Sequence, residues 1–203
     1  MVCEMNDRVP HGLKEWERYV VDTYFPHEGK VLNVGCGCGR EAIALAELGY
    51  DLYVVDVTEA QLQVATANAR DAGVQIEFAL SDGLAVPFKE QRFDAVVIWT
   101  QVLGNMEERS ERRKLLESCR ETMDTRGVIS ASFHDHAFCA KTWPQDVDGR
   151  WLYPWGKGHL RYRLFAADEV NELLTESGFA VTETAIRDSL QAVIFTVAFT
   201  EAD

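Results

Sequence analysis

The run Val31-Leu32-Asn33-Val34-Gly35-Cys36-Gly37-Cys38-Gly39-Arg40 constrains this chain more than any other stretch. An apolar, β-branched segment passes through three alternating glycines and directly into helix-forming residues. Strand, glycine turn and helix in that order set bare backbone N–H groups and a helix N-terminus against a ligand that is polar or anionic at the contact. A ligand-free glycine turn would carry the conformational entropy of three glycines without return. The spacing then discriminates among nucleotides. A G-x-G-x-x-G dinucleotide fingerprint starting at Gly35 needs glycine at position 40, where Arg40 stands, and the run reads G-x-G-x-G instead.

Around this loop, short β-branched runs alternate with helical stretches, which predicts an α/β fold built on a parallel sheet with crossover helices. Strands are expected at 30–34, 51–55, 75–80, 93–99 and 128–133, with helices at 40–48, 59–72 and 107–123. In the second helix Leu62, Ala65 and Ala69 recur at spacings of three and four before Gly73 ends it. Trp16, Tyr19, Val20 and Phe25 share a helical face, so residues 1–28 read as an N-terminal helix capping one end of the sheet. Residues 134–165 hold three Trp, two Tyr, two Pro and three Gly, follow neither period and exceed an ordinary connection, so they read as an inserted aromatic lid. A helix over 166–176 and alternating runs at 179–186 and 190–199 follow, the two runs close enough to pair as an antiparallel hairpin. At 203 residues all of this fits one domain.

Charge narrows the partners. Thirty-three acids against 20 bases give a net charge of -13, a field that repels phosphate polymers and disfavours nucleic acid. With 47% apolar and 26% charged residues, intrinsic disorder is excluded. No apolar run approaches the ~20 residues that span a bilayer, and Glu4, Asp7 and Glu15 with no apolar h-region argue against a signal peptide, so the expectation is a cytoplasmic chain without membrane contact. Five cysteines are an odd number; Cys36 and Cys38 cannot bridge each other without strain, and free thiols are the simpler reading. No second pair stands at zinc spacing, so no metal site is expected.

Two further elements join the loop. Asp56 ends the second strand, where a carboxylate, with Val57 beside it, can accept from two ribose hydroxyls or cap the next helix. Ser81-Asp82-Gly83, followed by Pro87-Phe88, ends the third strand, where an acid can accept from an exocyclic amine or serve only as a turn. Together these elements resemble the class I S-adenosylmethionine-dependent methyltransferases of the type 11/25 kind, over about 170 residues from Lys30 to Phe199. The matching motifs are VLNVGCGCG, YVVDVT, ALSDGLAVPF and FDAVVIWTQVL. The resemblance implies a Rossmann-like seven-stranded sheet of order 3-2-1-4-5-7-6, last strand antiparallel, with helices on both faces. It implies S-adenosyl-L-methionine as cofactor and S-adenosyl-L-homocysteine as product. It places Gly35, Cys36, Gly37 and Gly39 along the methionine half, Asp56 and Val57 at the ribose, Asp82 and Gly83 at the adenine, and Trp99 and Thr100 near the sulfonium. Asn33 stands where the family usually has Asp or Glu; it remains in the cofactor set as a residue that can orient a water or accept a bond.

Methyl transfer from a sulfonium is an in-line displacement that needs alignment and dryness, with a base only where the nucleophile must lose a proton. Trp99-Thr100-Gln101-Val102 lacks the Pro-Pro pair of the family's amide-methylating branches and the Asp of its metal-dependent catechol branch. His134 and His136, after the fifth strand, are candidate general bases, against the plainer reading that they cap or line the lid. Trp143, Trp151, Tyr153, Trp155, His159 and Tyr162 offer walls for a ring or a cationic amine, although packing alone accounts for such residues too. The expected substrate-binding set is Trp16, Tyr19, Gln101, Trp151, Trp155 and Tyr162, and the expected partner is a small-molecule acceptor, cationic or aromatic, methylated on an amine or hydroxyl. Two other readings compete. The stretch from Gln145 to Leu173 loosely resembles tRNA wobble-uridine carboxymethyl methyltransferases, with Arg150, Lys157, Arg161 and Arg163 as the basic cluster. Asn33 invites the other, a non-catalytic S-adenosylmethionine-binding subunit.

Overall fold

The computed structural model describes residues 12–155, 158–187 and 193–200. The chain runs α1 (Glu15–Tyr24), β1 (Lys30–Val34), α2 (Arg40–Glu47), β2 (Asp51–Asp56), α3 (Glu59–Asp71), β3 (Ile76–Leu80) and β4 (Phe93–Ile98). It continues through α4 (Val102–Asn105), α5 (Arg109–Glu121), β5 (Met123–His134), α6 (His136–Cys139), β6 (Trp151–Trp155), β7 (Gly158–Tyr162), α7 (Ala167–Glu176), β8 (Phe179–Arg187) and β9 (Val193–Thr200). Seven strands form one sheet in the order β3-β2-β1-β4-β5-β9-β8. The first five are parallel, and β9 lies antiparallel between β5 and β8. The reversal follows from chain length: β8 and β9 are joined by a hairpin, whereas each parallel pair needs a crossover helix.

Both faces of the sheet are covered, which is why β1 and β4 carry apolar residues toward both faces and show no polar-apolar alternation. Leu32, Val34, Val96 and Ile98 face one way, onto Leu115 and Leu116 of α5 and Leu173 and Leu174 of α7. Val31, Ala95, Val97 and Phe195 face the other way, onto Trp16 and Val20 of α1 and Ala42 and Leu45 of α2. Each such fully buried Leu or Phe contributes roughly 1.5–3 kcal/mol from apolar area alone. The N-terminal helix thus lies on a face of the sheet, not on its end: Trp16 stacks on Phe195 with centroids 5.6 Å apart and meets Trp99 edge-on at 5.5 Å.

Residues 134–165 carry α6 and a separate two-stranded hairpin, β6 with β7. Its two ends are tied together: Phe165 N–H donates to the His134 carbonyl at 3.1 Å and His136 N–H to the Phe165 carbonyl at 2.9 Å. The segment therefore leaves and rejoins the domain at one point beside the end of β5. Among the described residues no helix is long and apolar enough to cross a membrane. The cysteine expectation needs correcting. Cys36, Cys119 and Cys139 are free and buried, but Cys38 is disulfide-bonded to a partner outside the described residues. Its neighbour Cys36 is not that partner, in keeping with the geometry of the loop.

Candidate active site

Gly35, Gly37 and Gly39 adopt positive φ of 77°, 50° and 89°. Side chains rarely tolerate this region, and at Gly35 space is lacking as well, since a Cβ there would lie 2.4 Å from Cγ2 of Val102. Gly35 N–H donates to the Val55 carbonyl at 2.8 Å, and Gly39 is the residue on which α2 starts. The loop so shaped floors a cavity of about 630 Å³ at the carboxyl ends of β1, β2 and β4, where α/β sheets bind ligands. Gly35, Cys36, Gly37, Asp56, Val57, Asp82, Gly83, Thr100, Gln101, His134 and Tyr162 all line it. Gly39 does not; it supports the loop from beneath, where an added Cβ would press on Ala65 at 3.2 Å.

Asp56 is tied to the backbone on two sides. Oδ1 accepts from Thr58 N–H at 2.9 Å, at the start of α3, and Oδ2 accepts from Cys36 N–H at 3.0 Å, tying the glycine loop to β2. A carboxylate has about four acceptor positions, so lone pairs remain for ribose hydroxyls. Burial, reinforced by the Asp56 charge, pushes the Cys36 thiol far above its usual range, so it is a neutral wall and not a nucleophile. Asp82 Oδ1 accepts from Leu84 and Ala85 N–H at 2.8 and 3.0 Å. That turn sets Gly83, with φ of 80°, against Val57, whose Cγ1 would be 2.9 Å from any added Cβ.

Beyond β4 the backbone is strained at two successive residues: Thr100 and Gln101 have φ of 58° and 60°. For a β-branched residue this is an outlier, and such conformations cost of order 1–3 kcal/mol each and gather where ligands bind. Gln101 is 5% exposed, and its Nε2 is buried with no hydrogen-bond partner although the residue lines the cavity. The Thr100 hydroxyl donates to Glu41. Sequence reasoning missed Glu41, Arg40 and Lys14, all lining the cavity, and Glu17 behind them. Arg40 registered only as a missing glycine, and nothing local ties it to Glu17, 23 residues earlier.

His134, at the end of β5, faces the cavity among aromatic rings: Trp143 at 4.7 Å, Tyr162 at 5.2 Å and Tyr153 at 5.9 Å between centroids. Burial raises the Tyr162 phenol above its ordinary range against the opposing hydrogen bond with Asn105, so it remains a neutral phenol.

Several expected residues fall elsewhere. Trp99 is 1% exposed, absent from the cavity wall, and donates Nε1–H to Ser130 Oγ at 2.9 Å within the core. Trp16 forms part of the same core, because the apolar stripe of α1 that makes it noticeable is the stripe the sheet buries. Tyr19 is half-exposed and donates its hydroxyl to Glu183 at 3.0 Å, away from the cavity. Asn33 is 1% exposed in the middle of β1, with Oδ1 unpartnered, and does not reach the cavity wall. His136 begins the short helix α6, capped by Asp135, and is exposed outside the cavity with Trp151 edge-on at 5.7 Å. Trp151 itself packs on Cys139 and Leu164. Trp155 pairs with Gly158 in the hairpin, and its side chain lies outside the described residues. The basic cluster is largely neutralised: Arg161 pairs with Asp146 and Asp148 at 2.6 and 2.8 Å and Arg163 with Glu169 at 2.6 Å, while Lys157 lies outside the described residues.

Comparison with known proteins gives a match to the methyltransferase domain family over residues 31–127, the stretch holding the glycine loop, Asp56, Asp82 and Thr100. Sequence relatives include the Bacillus subtilis protein YqeM, 22% identical over 207 residues, spanning 87% of this chain and 82% of that one. A ubiquinone biosynthesis O-methyltransferase of Roseobacter denitrificans is 28% identical over 159 residues, spanning 75% of this chain and 61% of the relative. Among solved structures, the glycopeptide N-methyltransferase MtfA in complex with S-adenosyl-L-homocysteine superposes with a TM-score of 0.73 at 20% identity, over 99% of this chain and 92% of that one. Domain match, strand order and structural likeness agree on one fold, that of the S-adenosylmethionine-dependent methyltransferases, which this chain resembles. S-adenosyl-L-homocysteine is bound in that MtfA structure, and here the glycine cradle, the acids at the ends of β2 and β3 and the orphaned Gln101 amide are of a kind to hold such a cofactor.

Proposed function

We propose that the chain methylates a hydroxyl of a small, flat acceptor seated between the glycine-loop cavity and the hairpin, with His134 as general base. The observation that carries this reading is His134 itself, a titratable ring on the cavity wall enclosed by Trp143, Tyr153 and Tyr162. Bound S-adenosylmethionine supplies a methyl group on a positively charged sulfur, already activated for displacement. What remains for the chain is to align the acceptor, exclude water and accept one proton. In this reading Gly35, Cys36 and Gly37 take the methionine half, Asp56 and Val57 the ribose, and Asp82 and Gly83 the adenine. Tyr153, Leu160 and Tyr162 from the hairpin clasp the acceptor ring.

An amine acceptor is the second reading, favoured by the same rings, which attract cations through their faces. A non-catalytic role loses its footing, because Asn33 lies inside the sheet and its substitution removes nothing from the cavity wall. The test is a mass-spectrometric screen for addition of one methyl group across matched panels of phenols, aliphatic alcohols and amines. Turnover confined to hydroxyl acceptors supports the proposal. Turnover confined to amines, with His134→Ala unimpaired, overturns it.

A further inference from the structure

Behind the glycine loop, side chains from α1, α2 and the end of β4 meet in one buried cluster. Arg40 Nη2 donates to Glu17 Oε1 and to Glu41 Oε1, each at 2.6 Å, and Nη1 donates to Glu17 Oε2 at 2.7 Å. A further bond of 2.6 Å runs from Nη1 to the Gly12 carbonyl. Glu17 is 1%, Glu41 4% and Arg40 6% exposed. Two carboxylates thus share one guanidinium, and buried charge left without a counterpart is costly.

The two carboxylates are not equivalent. Both Glu17 oxygens are taken by Arg40, and Oε2 accepts from Lys14 N–H as well. At Glu41 both bonds, from Arg40 and from the Thr100 hydroxyl, fall on Oε1. Oε2 accepts no hydrogen bond among the described residues, and Glu41 lines the cavity. Asp56 and Asp82, the other acids discussed at this cavity, are each engaged by two backbone N–H groups. Lys14 lines the cavity from the start of α1, so an amino-acid end entering there meets an acid and a base.

We propose that Glu41 receives the α-ammonium group at the amino-acid end of the cofactor, and that Arg40 and Glu17 are positioning residues that hold Glu41 in place. The inference rests on reading the cavity as the cofactor site and adds a residue to it. It also gives α1 a part in binding: Glu17 reaches the ligand only through Arg40 and Glu41.

The test is calorimetry of S-adenosylhomocysteine and of its analogue with hydrogen in place of the α-amino group, on the full chain and on Glu41→Gln, Glu41→Asp and Glu17→Gln. The unmodified protein is expected to prefer the amino compound about 10- to 100-fold, as for a hydrogen bond to a charged partner. Glu41→Gln removes that preference by weakening the amino compound alone, leaving the analogue within about twofold. Glu17→Gln lowers the preference in part, an effect that general loss of stability would not produce. Glu41→Asp keeps the charge one methylene shorter and serves if the Gln variant does not fold; its preference should drop at least about fivefold. Equal weakening of both ligands by Glu41→Gln, an unchanged preference in Glu41→Asp, or no preference in the unmodified protein overturns the proposal. If the unmodified protein binds neither ligand, the cavity is not the cofactor site, and both readings fall together.

Discussion

Asp56 shows how much of the scaffold a single cavity-lining side chain can hold. It pins the Cys36 amide and starts α3, and both bonds would be lost with the carboxylate. Asp56→Ala is therefore expected to weaken S-adenosylhomocysteine binding by roughly 1.5–3 kcal/mol, the range for hydrogen bonds to a charged acceptor, measured by calorimetry. Asp56→Asn, which keeps the acceptor to one amide and loses the charge, should fall between. Unchanged affinity in both would leave Asp56 as a helix cap alone. His134 makes the opposite kind of prediction. His134→Ala should lower turnover of a hydroxyl acceptor by ~10²- to 10⁴-fold while cofactor affinity stays within error, because a base acts on the acceptor's proton only. His136→Ala, its exposed neighbour, should leave the rate unchanged, and a rate loss at His136 instead would reverse the assignment.

Elements carry what single residues cannot. The turn from β1 into α2 works because three glycines take left-handed conformations, and Gly35 also abuts Val102 on α4, the helix that opens with the strained Thr100–Gln101 pair. Gly35→Ala should therefore both lower the unfolding midpoint and weaken cofactor binding, since the new methyl displaces α4 along with the loop. Thermal unfolding and calorimetry on the same sample separate the two. A variant as stable as the parent with full affinity would mean the loop has slack that the geometry denies. This turn was legible in the sequence because its signal is local: ten consecutive residues fix strand, turn and helix. Asp56 and Asp82 were legible for the same reason, one being the last residue of β2 and the other lying two residues past β3, in a fold whose strand ends bind ligands. The facing of a side chain was not legible. Trp99 and Thr100 are neighbours just past β4, yet the first is buried in the core and the second, at a left-handed turn, lines the cavity. His134 and His136 part in the same way, one on β5 and one on the first turn of α6. The Glu17–Arg40–Glu41 cluster was invisible because it depends on how α1 crosses the sheet, which no local pattern of residues encodes.

At the scale of the whole molecule, the buried cysteines should be read together with the acidic surface. Cys119 lies wholly within the core between α5 and the sheet, and burial alone pushes its thiol from about 9 up to about 12. Burial, with Asp135 adding to it, pushes Cys139 up to about 11, and Cys36 is raised further still. The sign follows from proton linkage. In the unfolded chain these thiols lose their protons near pH 9, whereas in the folded chain they keep them, so above that pH the native state binds more protons. Stability is then fully present below about pH 8.5 and falls as pH rises toward the folded values, at about 1.4 kcal/mol per pH unit for a fully buried group such as Cys119. A net charge of -13 adds self-repulsion in the same direction as remaining cations lose their protons. Urea midpoints measured from pH 7 to about pH 10.5 should hold level and then fall, with Cys119 alone accounting for about 2 kcal/mol by the upper end. Cys119→Ala separates the thiol from the background charge. Whatever the substitution costs at neutral pH, it should flatten the alkaline limb by that amount, while an equally steep limb in the variant would assign the loss to surface repulsion and to the other thiols.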